Sequence, residues 1–451
     1  MIYAEITCQT QDTFQRYALT NKISLIDLDG KPAVQEDSND QLELSSIHDF
    51  ATKLTQPGAK EALEDYVRWQ IALRSGNSSA SSVDFTRVPD IAPISINLDL
   101  TTACNFACDH CVDLDILNTG IRFDHGKLLS SLELMAKKGL RSVIVIGGGE
   151  PTLYPKFTEV IRFMKDLGLQ VSIVSNGTGN DKIAEVADCM DENDWVRLSL
   201  DSGTDETFQP MHKPRKDFTL EGICARVPDI KAANPALTVG FSYIVTWRGA
   251  SINDTSIVEN FHEIALATRL ARDSQFSYIS FKPFLTRDEV NNAEVIGVNK
   301  DEGMQITIEN IQAQVDAAVK LETTDFRVLQ STGLKAMLSG QTQTLAKQPR
   351  QCHMQFFRQV LSPLGLFNCP VYRNQDHGRL GDMNAAADEL AYDATRGKTA
   401  QLIRDFNATT SCEKVTCLYN DVNWWVEGLI ENPAELKHLR TDTSADPDYF
   451  L

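Results

Sequence analysis

The chain has 451 residues, of which 42% are hydrophobic and 23% are charged, so it can bury a sizeable core and form two or three domains. Its 62 acidic residues outnumber its 43 Lys and Arg residues. The formal charge of −19 disfavours a nucleic-acid partner, because affinity for nucleic acid depends mainly on phosphate neutralisation. No apolar run predicts a membrane span, and the first residues lack a signal-peptide pattern, so we expect a cytoplasmic protein.

Residues 1–90 are predicted to form a small α+β module of unknown role. Ile2–Thr7 and Ile23–Leu28 have the composition of strands, and apolar residues repeat at helical spacing over Leu63–Ile71. The serine-rich residues 75–82 predict a flexible linker. Two interpretations fit this module: a structural or dimerising appendage, and a docking module for a peptide or protein substrate.

Residues 91–300 alternate between apolar strands and amphipathic helices. Two predicted helices each end at a glycine, Gly139 or Gly168. Six segments have the composition of strands: Ile94–Leu100, Ser142–Ile146, Val171–Val174, Trp195–Leu200, Val239–Val245 and Tyr278–Phe281. The alternation predicts an α/β fold, a partial or complete (β/α) TIM-type barrel with parallel strands. We expect a connecting helical segment at 301–345 and a loop-rich, metal-binding domain at 346–451.

Three cysteines, Cys104, Cys108 and Cys111, follow the first predicted strand with three and two residues between them. Clustered cysteines in a reducing compartment favour metal or redox chemistry over a disulfide framework. Thiolates are soft ligands suited to iron–sulfur clusters, and three of them leave one iron of a [4Fe–4S] cluster open to a small molecule. A zinc site is the main alternative, although structural zinc usually takes four protein ligands.

This CxxxCxxC loop after an initial strand resembles the signature of radical S-adenosylmethionine (SAM) enzymes. The resemblance implies that SAM chelates the open iron and that an electron from the cluster cleaves SAM to a 5′-deoxyadenosyl radical. That radical would abstract a hydrogen atom from the substrate, and an electron donor such as flavodoxin or ferredoxin would reduce the cluster. The family often has an aromatic residue beside the adenine just before the last cysteine, and His110 occupies that position.

Two further segments resemble motifs of the same family. Gly148, Gly149 and Glu150 resemble the GGE motif that holds the amino group of SAM. Glycines allow close backbone approach, and a carboxylate is a suitable partner for an ammonium. Ser175 and Asn176 resemble the segment near the ribose and carboxylate of SAM. Taken singly, such residues are also ordinary turn formers and helix caps.

A fourth segment, with Ser199 and Asp201, ends the fourth predicted strand and is also expected to bind the cofactor. The period of two predicts that both side chains lie on one strand face. All four segments fall at the predicted carboxyl ends of consecutive strands. Active sites of barrels form at this rim, so the joint placement supports a SAM site more strongly than any single motif does.

A second group consists of Cys352, Cys369, Cys412 and Cys417. Its opening is similar to that of the SPASM and twitch auxiliary-cluster domains, although the glycine before Cys369 is one residue closer than usual. SPASM domains carry more cysteines than this, so the four favour a twitch-type domain with one auxiliary [4Fe–4S] cluster. A zinc site, free buried thiols, and His353 as a substitute ligand stay open as alternatives.

An auxiliary cluster with four cysteine ligands has no open iron, so we expect it to transfer electrons. The sequence therefore predicts a radical SAM enzyme that oxidises or rearranges a small-molecule or peptide substrate. Peptide maturation (RiPP) that forms a crosslink, thioether or epimer is one alternative, and a non-catalytic iron–sulfur or zinc-binding protein is another. Cys8, Cys189 and Cys224 are expected to be ordinary thiols. No catalytic acid or base is assigned, and five residues are candidates for substrate contact: Tyr243, Lys282, Arg287, His377 and Arg379.

Overall fold

The computed structural model describes residues 49–75, 84–252, 254–287, 294–297, 302–441, 443 and 447–451. The two strands predicted near the N-terminus, Cys8 and the linker after Ser75 lie outside the described residues. The helix predicted for the N-terminal module is present as Lys60–Ser75, and a shorter helix, Phe50–Thr55, precedes it.

The strands within the described residues are numbered here in chain order. They are β1 Ser95–Leu98, β2 Ser142–Val145, β3 Gln170–Ser175, β4 Trp195–Ser199, β5 Thr238–Val245, β6 Ser251–Ile252, β7 Thr255–Ser256, β8 Tyr278–Pro283, β9 Thr286–Arg287, β10 Glu294–Val295, β11 Arg327–Gln330, β12 Arg358–Ser362, β13 Gly365–Phe367 and β14 Arg379–Gly381. The six strands predicted for the barrel are confirmed as β1 to β5 and β8.

One ten-stranded sheet organises the described residues, in the order β11-β8-β5-β4-β3-β2-β1-β12-β13-β14. All neighbours from β11 to β12 are parallel, as the βα alternation predicted. The two outer pairs, β12 with β13 and β13 with β14, are antiparallel. Over these residues the sheet is open, so the prediction of a TIM-type barrel is confirmed in its partial form. The carboxyl ends of the parallel strands all lie at one edge of the sheet, here called the rim.

The helices between the strands cover the outer face of the sheet. They are His125–Lys137, Phe157–Asp166, Asn180–Val186, Asp205–His212, Leu220–Cys224, Val227–Ala233, Ile264–Asp273, Glu302–Val319 and Thr332–Leu338. Their apolar stripes are fully buried against β-branched strand residues such as Val143 and Ile173. Each such side chain stabilises the fold by about 1.5–3 kcal/mol. Gly168 follows the second of these helices with φ of +74°, a conformation that glycine adopts at low cost.

The C-terminal segment is less loop-rich than its glycines and prolines indicated. β12 pairs in parallel with β1, so this segment extends the central sheet. The same part of the chain also forms four helices: Met354–Phe357, Glu389–Asp405, Ala408–Ser411 and Asn420–Glu431. The last packs against Lys60–Ser75 through a second buried core that includes Tyr66, Val67 and Trp425.

Within the described part of the chain, no helix combines the length and the apolar character that crossing a membrane requires.

Candidate functional site

The cysteines of the first group lie on the loop that leaves β1. All three thiols are free and partly exposed. Backbone groups fix the loop: the N–H of Cys104 donates to Oδ1 of Asn118 at 3.1 Å, and the N–H of Ala107 donates to the carbonyl of His212 at 3.1 Å. The protein itself therefore holds the loop that carries the three thiols.

Burial controls the protonation of this first group. It raises the pKa of Cys104 and Cys108 above the ordinary thiol value and that of Cys111 to about 12. The neighbouring cysteines raise the pKa of Cys108 further. The protein alone keeps these groups as thiols, whereas metal ligands are thiolates. A cationic metal centre would supply the charge that allows them to ionise together.

His212 contacts the first group from the helix Asp205–His212, and the sequence analysis missed it. Its Nε2 donates to the carbonyl of Leu200 at 2.9 Å, and its Nδ1 lies 3.3 Å from Sγ of Cys108. Burial lowers the pKa of His212 to about 4, against the opposing charge of Asp201. The neutral ring therefore accepts the Cys108 S–H. No motif marks His212, because 104 residues separate it from its partner.

The glycines of the GGE-like motif let the loop after β2 pack on the cysteine loop. A Cβ built on Gly149 would lie 2.2 Å from the carbonyl oxygen of Ala103, and one on Gly148 would lie 2.9 Å from that of Thr101. The next N–H, of Glu150, donates to Ala103 at 2.8 Å. Close backbone approach was predicted for these glycines, and the structure shows that the approaching backbone is that of the cysteine loop.

Glu150 connects the ends of β2 and β3 through hydrogen bonds. Its Oε1 accepts hydrogen bonds from the N–H of Thr152 (3.1 Å), the hydroxyl of Thr152 (2.6 Å) and the hydroxyl of Ser175 (2.8 Å). Its Oε2 accepts the N–H of Asn176 at 2.7 Å. Oε1 thus accepts three hydrogen bonds from the described residues and Oε2 accepts one, so Oε2 is the oxygen with capacity for a further donor.

Asn176 connects the end of β3 to the cysteine loop. Its amide donates to Oδ1 of Asn105 at 2.8 Å, and Asn105 donates to the hydroxyl of Thr178 at 2.9 Å. Oδ1 of Asn176 accepts from the hydroxyl of Thr178 at 2.7 Å. These bonds close a ring of three polar side chains, so Ser175, Asn176 and Glu150 act as one unit with the loop that carries Cys104.

His110 and Asp201 meet at the end of β4. Nε2 of His110 lies 3.3 Å from Oδ2 of Asp201, and Asp201 also accepts the N–H of Ile244 at 2.7 Å. Asp201 has φ of +47° and lies beyond the last β4 residue, Ser199. The prediction that Ser199 and Asp201 share one strand face is therefore wrong, because the strand ends before Asp201. The backbone after the strand brings Asp201 to His110.

The second group of cysteines surrounds one cavity of about 290 Å³. Cys352, Cys369, Cys412 and Cys417 all line it, and their thiols are free. Burial raises the pKa of all four, and for the last three the neighbouring thiolates raise it further. No three of these four sulfur atoms lie within 4.8 Å of one another. The ligands of a single zinc ion, each about 2.3 Å from the metal, would lie closer together.

His353 is engaged elsewhere in the structure. Its Nδ1 is hydrogen bonded to the hydroxyl of Tyr66 at 2.9 Å and its Nε2 to Glu427 at 2.8 Å, and the residue is fully buried. Both ring nitrogens thus have protein partners. This arrangement argues against the alternative in which His353 replaces a cysteine as ligand.

The remaining candidates for substrate contact fall in different places. Tyr243 is fully buried and donates to the carbonyl of Asn260 at 2.7 Å, so it belongs to the core. His377 and Arg379 bond within the C-terminal segment. Arg287 donates to the carbonyl of Val112 at 2.7 Å, beside the first group. Lys282 lies on the inner face of β8.

An iron–sulfur cluster and SAM fit the residues present. The first group offers three free thiols on one ordered loop, and Glu150 keeps acceptor capacity at Oε2. Nδ1 of His110 is a buried polar atom without a hydrogen-bond partner among the described residues. Cys104, Cys108 and Cys111 would hold the cluster, and His110 and Glu150 would contact SAM. These individual assignments stay predictions.

Comparison with known proteins agrees with this geometry. Residues 98–238 match the Radical SAM superfamily. The chain contains a radical SAM domain. It runs from the end of β1 to the start of β5, so it includes the first cysteine group and the ends of β2, β3 and β4. Such a domain binds SAM and a [4Fe–4S] cluster.

Curated relatives match parts of this chain. Over 110 residues it is 33% identical to the S-adenosylmethionine-dependent nucleotide dehydratase of a Thermoplasmatales archaeon, covering 24% of this chain and 38% of that protein. Over 127 residues it is 34% identical to the mycofactocin maturase MftC of Mycobacterium ulcerans, covering 26% of this chain and 31% of that one. The chain thus spans less than two fifths of these relatives.

Among solved structures, that of Streptococcus suis SuiB is similar in fold to this chain. The TM-score is 0.50 and the identity is 13%, with 87% of this chain and 91% of that chain covered. SuiB has also been solved bound to its precursor peptide SuiA. The similarity extends beyond residues 98–238, because it covers 87% of this chain.

Proposed function

We propose that this protein is a radical SAM enzyme that abstracts a hydrogen atom from a small-molecule or peptide substrate, with an auxiliary cluster assisting oxidation. The observation that carries the proposal is that the cavity of about 290 Å³ lined by the second cysteine group reaches residues next to the first group. Its lining includes Val112, Asp113 and Gly147 from the surroundings of the first group and all four cysteines of the second. An auxiliary cluster would occupy the part of the cavity that the four cysteines line, so a substrate would lie at the end lined by Val112 and Gly147, facing the first group.

When bound, the cluster and SAM supply a one-electron cleavage of the sulfonium C–S bond. The chain's own residues hold and orient the reactants. Glu150 is fixed by Thr152, Ser175 and Asn176, so its free lone pair has a set direction for the ammonium of SAM. His110 is held by Asp201 beside the last cysteine of the loop. Both side chains are buried, which excludes water from the reacting groups.

The second group completes the proposal as an electron-transfer site. Four partly buried thiols around one cavity supply a full ligand set for an auxiliary [4Fe–4S] cluster and leave no open iron for the substrate. An external one-electron donor such as flavodoxin or ferredoxin would reduce the first cluster. The proposal requires a compartment that keeps thiols reduced, such as the cytoplasm.

Peptide maturation is the second candidate function. The relative MftC is named as a maturase, whereas another relative at similar identity is named as a nucleotide dehydratase. Both matches cover about a quarter of this chain, so they support the radical SAM chemistry and not the choice of substrate. A peptide substrate would give the N-terminal module a purpose in docking.

Anaerobic reconstitution with iron and sulfide tests the proposed function. We expect about eight irons per chain, as two [4Fe–4S] clusters require, and reductive cleavage of SAM to 5′-deoxyadenosine with dithionite. Cys108→Ser should remove about four irons and abolish cleavage, and Cys417→Ser should remove about four irons from the auxiliary site. Cys189→Ser, a thiol outside both groups, is the matched control and should keep both clusters.

Three results would contradict the proposal in different ways. Zinc without iron would overturn the cluster assignment. About four irons in the wild type, all lost with Cys108→Ser, would remove the auxiliary cluster and its oxidative role. Full iron content without any SAM cleavage would exclude radical SAM chemistry.

A further inference from the structure

One inner face of three neighbouring strands carries two cations that no acid neutralises. Arg197 lies on β4 and Lys282 on β8, with β5 between them. Among the described residues, neither side chain forms an ion pair with an Asp or Glu. Buried charges are usually paired, because removing an isolated charge from water is costly. This face of the sheet therefore has an excess of positive charge.

The strand register places further donors on the same face. Arg197 pairs with Gly240 of β5, which pairs with Tyr278 of β8. Because Gly240 has no side chain, the Tyr278 ring lies over it: a Cβ at Gly240 would be 2.1 Å from Cζ of Tyr278. Tyr278 thus reaches across β5 toward Arg197. By the period of two, Ser280 and Lys282 follow on the same face of β8.

Several of these donors have no partner. Nε of Arg197 and the hydroxyl of Ser280 are buried without a hydrogen bond to any described residue. Nζ of Lys282 donates to the hydroxyl of Ser242 at 3.2 Å, which uses one of its three protons. Arg197 has the ring of Trp195 as its neighbour, 5.3 Å from Cζ to the centroid. Buried polar groups in native proteins are rarely left unsatisfied, so an acceptor is missing from this face.

We propose that Arg197 and Lys282, with the hydroxyl of Ser280, form a subsite for an oxyanion of the substrate, a carboxylate or a phosphoryl group. This inference rests on the proposed function and names one chemical feature of its substrate. Arg197 and Lys282 both keep some solvent-accessible surface although they lie on inner strands of the sheet. Paired charge-assisted hydrogen bonds to one oxyanion would satisfy them together.

The electrostatics of Lys282 agree with this assignment. Burial lowers its pKa well below the ordinary lysine value, and the nearby Arg197 charge lowers it further, against Asp201. Asp201 forms no ion pair with either cation; its carboxylate accepts the N–H of Ile244 and contacts His110. A bound oxyanion would attract both Lys282 and Arg197 and so offset the repulsion between their charges.

The subsite also has a suitable position relative to the predicted SAM site. Ile244 is opposite Lys282 in the β5–β8 register, and its N–H donates to Asp201, which contacts His110. Arg197 lies two residues before the end of β4, so it is deeper in the sheet than the rim. A substrate anchored here by its oxyanion would extend toward the rim where the first cysteine group lies.

Thermal unfolding of the reconstituted holoprotein tests the subsite with inorganic phosphate and acetate as probes, at constant ionic strength in chloride. A ligand that binds only the folded state raises the midpoint. We expect phosphate or acetate to raise the midpoint of the wild type, and the more effective probe indicates a phosphoryl or a carboxylate group. Arg197→Met and Lys282→Met should weaken the affinity for that probe by about 10- to 100-fold, as loss of a charged hydrogen bond does.

Conservative and control variants separate the subsite from a role in folding. Lys282→Arg keeps the charge and should keep the response to the probe. Lys282→Met removes an uncompensated charge without removing volume, so without probe it should unfold at or above the wild-type midpoint. Lys320→Met, at an exposed site, should behave as the wild type throughout.

Three outcomes would overturn the subsite. An unchanged response in both Met variants, or no response in the wild type, would show that no oxyanion binds there. Loss of SAM binding together with the probe response would assign the two cations to the carboxylate of SAM. Because the titration does not use turnover, failure of SAM cleavage in the wild type would contradict only the proposed function.

Discussion

The guanidinium of Arg373 is ion-paired with Asp99, with 2.9 Å between Nε and Oδ2, and also with Asp113. Asp99 follows β1, Asp113 lies two residues after Cys111, and Arg373 lies four residues after Cys369. Arg373, which lines the cavity of the second cysteine group, thus forms ion pairs with two carboxylates that flank the first cysteine group. This buried triad ties the two groups together.

Arg373→Met should destabilise the protein strongly. It leaves two buried carboxylates without a cation, and breaking a buried ion pair from one side costs about 3–5 kcal/mol. Urea unfolding of the reconstituted protein measures the loss. Arg226→Met is the matched control, because Arg226 pairs with Asp229 on an exposed helix and should contribute at most about 1 kcal/mol. Equal costs for the two variants would refute a special role for the triad.

The same triad predicts a pH dependence of stability. Burial raises the pKa of Asp99 to about 7, against the charge of Arg373, whereas an unfolded Asp titrates near about 4. Between these values the folded state binds more protons than the unfolded state, so the free energy of unfolding falls as pH rises. The stabilisation of the folded state by protonated Asp99 is complete below about pH 4 and is lost as the pH rises through about pH 7.

Asp99→Asn removes this titrating carboxyl group, so the free energy of unfolding of the variant should depend less on pH. The difference in slope between wild type and variant should reach about 1.4 kcal/mol per pH unit between about pH 5 and pH 7. Unfolding titrations at several pH values measure it. Parallel profiles for the two proteins would show that Asp99 titrates outside this window.

Gly149→Ala should disturb the first cysteine group without touching a cysteine. The added methyl would lie 2.2 Å from the carbonyl oxygen of Ala103, so the cysteine loop must move. We expect a loss of about 1–3 kcal/mol in stability, typical of overpacking, and a lower iron content at the first cluster. Iron analysis and SAM affinity check this.

Gly126→Ala is the control for Gly149→Ala. Gly126 lies in the first turn of His125–Lys137, and its nearest neighbour would be Oδ1 of the Asp124 side chain at 3.4 Å. An alanine there should be neutral or stabilise the helix by about 0.5–1 kcal/mol. If both alanine variants keep full iron, the close approach at Gly149 is not needed for the cluster.

The sequence predicted those features that follow from local spacing. The six barrel strands, their parallel order and the loop of Cys104, Cys108 and Cys111 follow from periodicity of two or 3.6 residues and from thiol spacing. The contacts of His212 with Cys108 and of Arg373 with Asp99 were not predictable, because each joins residues more than 100 positions apart through tertiary packing. The helix Glu389–Asp405 was missed because Gly397 and four threonine and aspartate residues weaken its helical pattern.

The last prediction concerns the support of the second cysteine group by the helix Lys60–Ser75. Glu427 accepts from Arg74 at 2.8 Å and contacts Nε2 of His353 at 2.8 Å, next to Cys352. Although burial opposes it, these bonds lower the pKa of Glu427 to about 2, so it is ionised at neutral pH. Glu427→Gln should cost about 1.5–3 kcal/mol, typical of a hydrogen bond to a charged group.

Loss of this anchor should also loosen the turn that carries Cys352. We therefore expect Glu427→Gln to lower the iron content of the auxiliary site while the first cluster and SAM cleavage persist, since the Glu427 carboxylate bonds to Arg74 and His353, which both lie outside the first group. Glu192→Gln, at an exposed carboxylate, is the control and should change neither iron nor stability. An equal loss of iron from both clusters would show that the two groups do not assemble independently, and full iron content would show that Cys352 is held without the N-terminal helix.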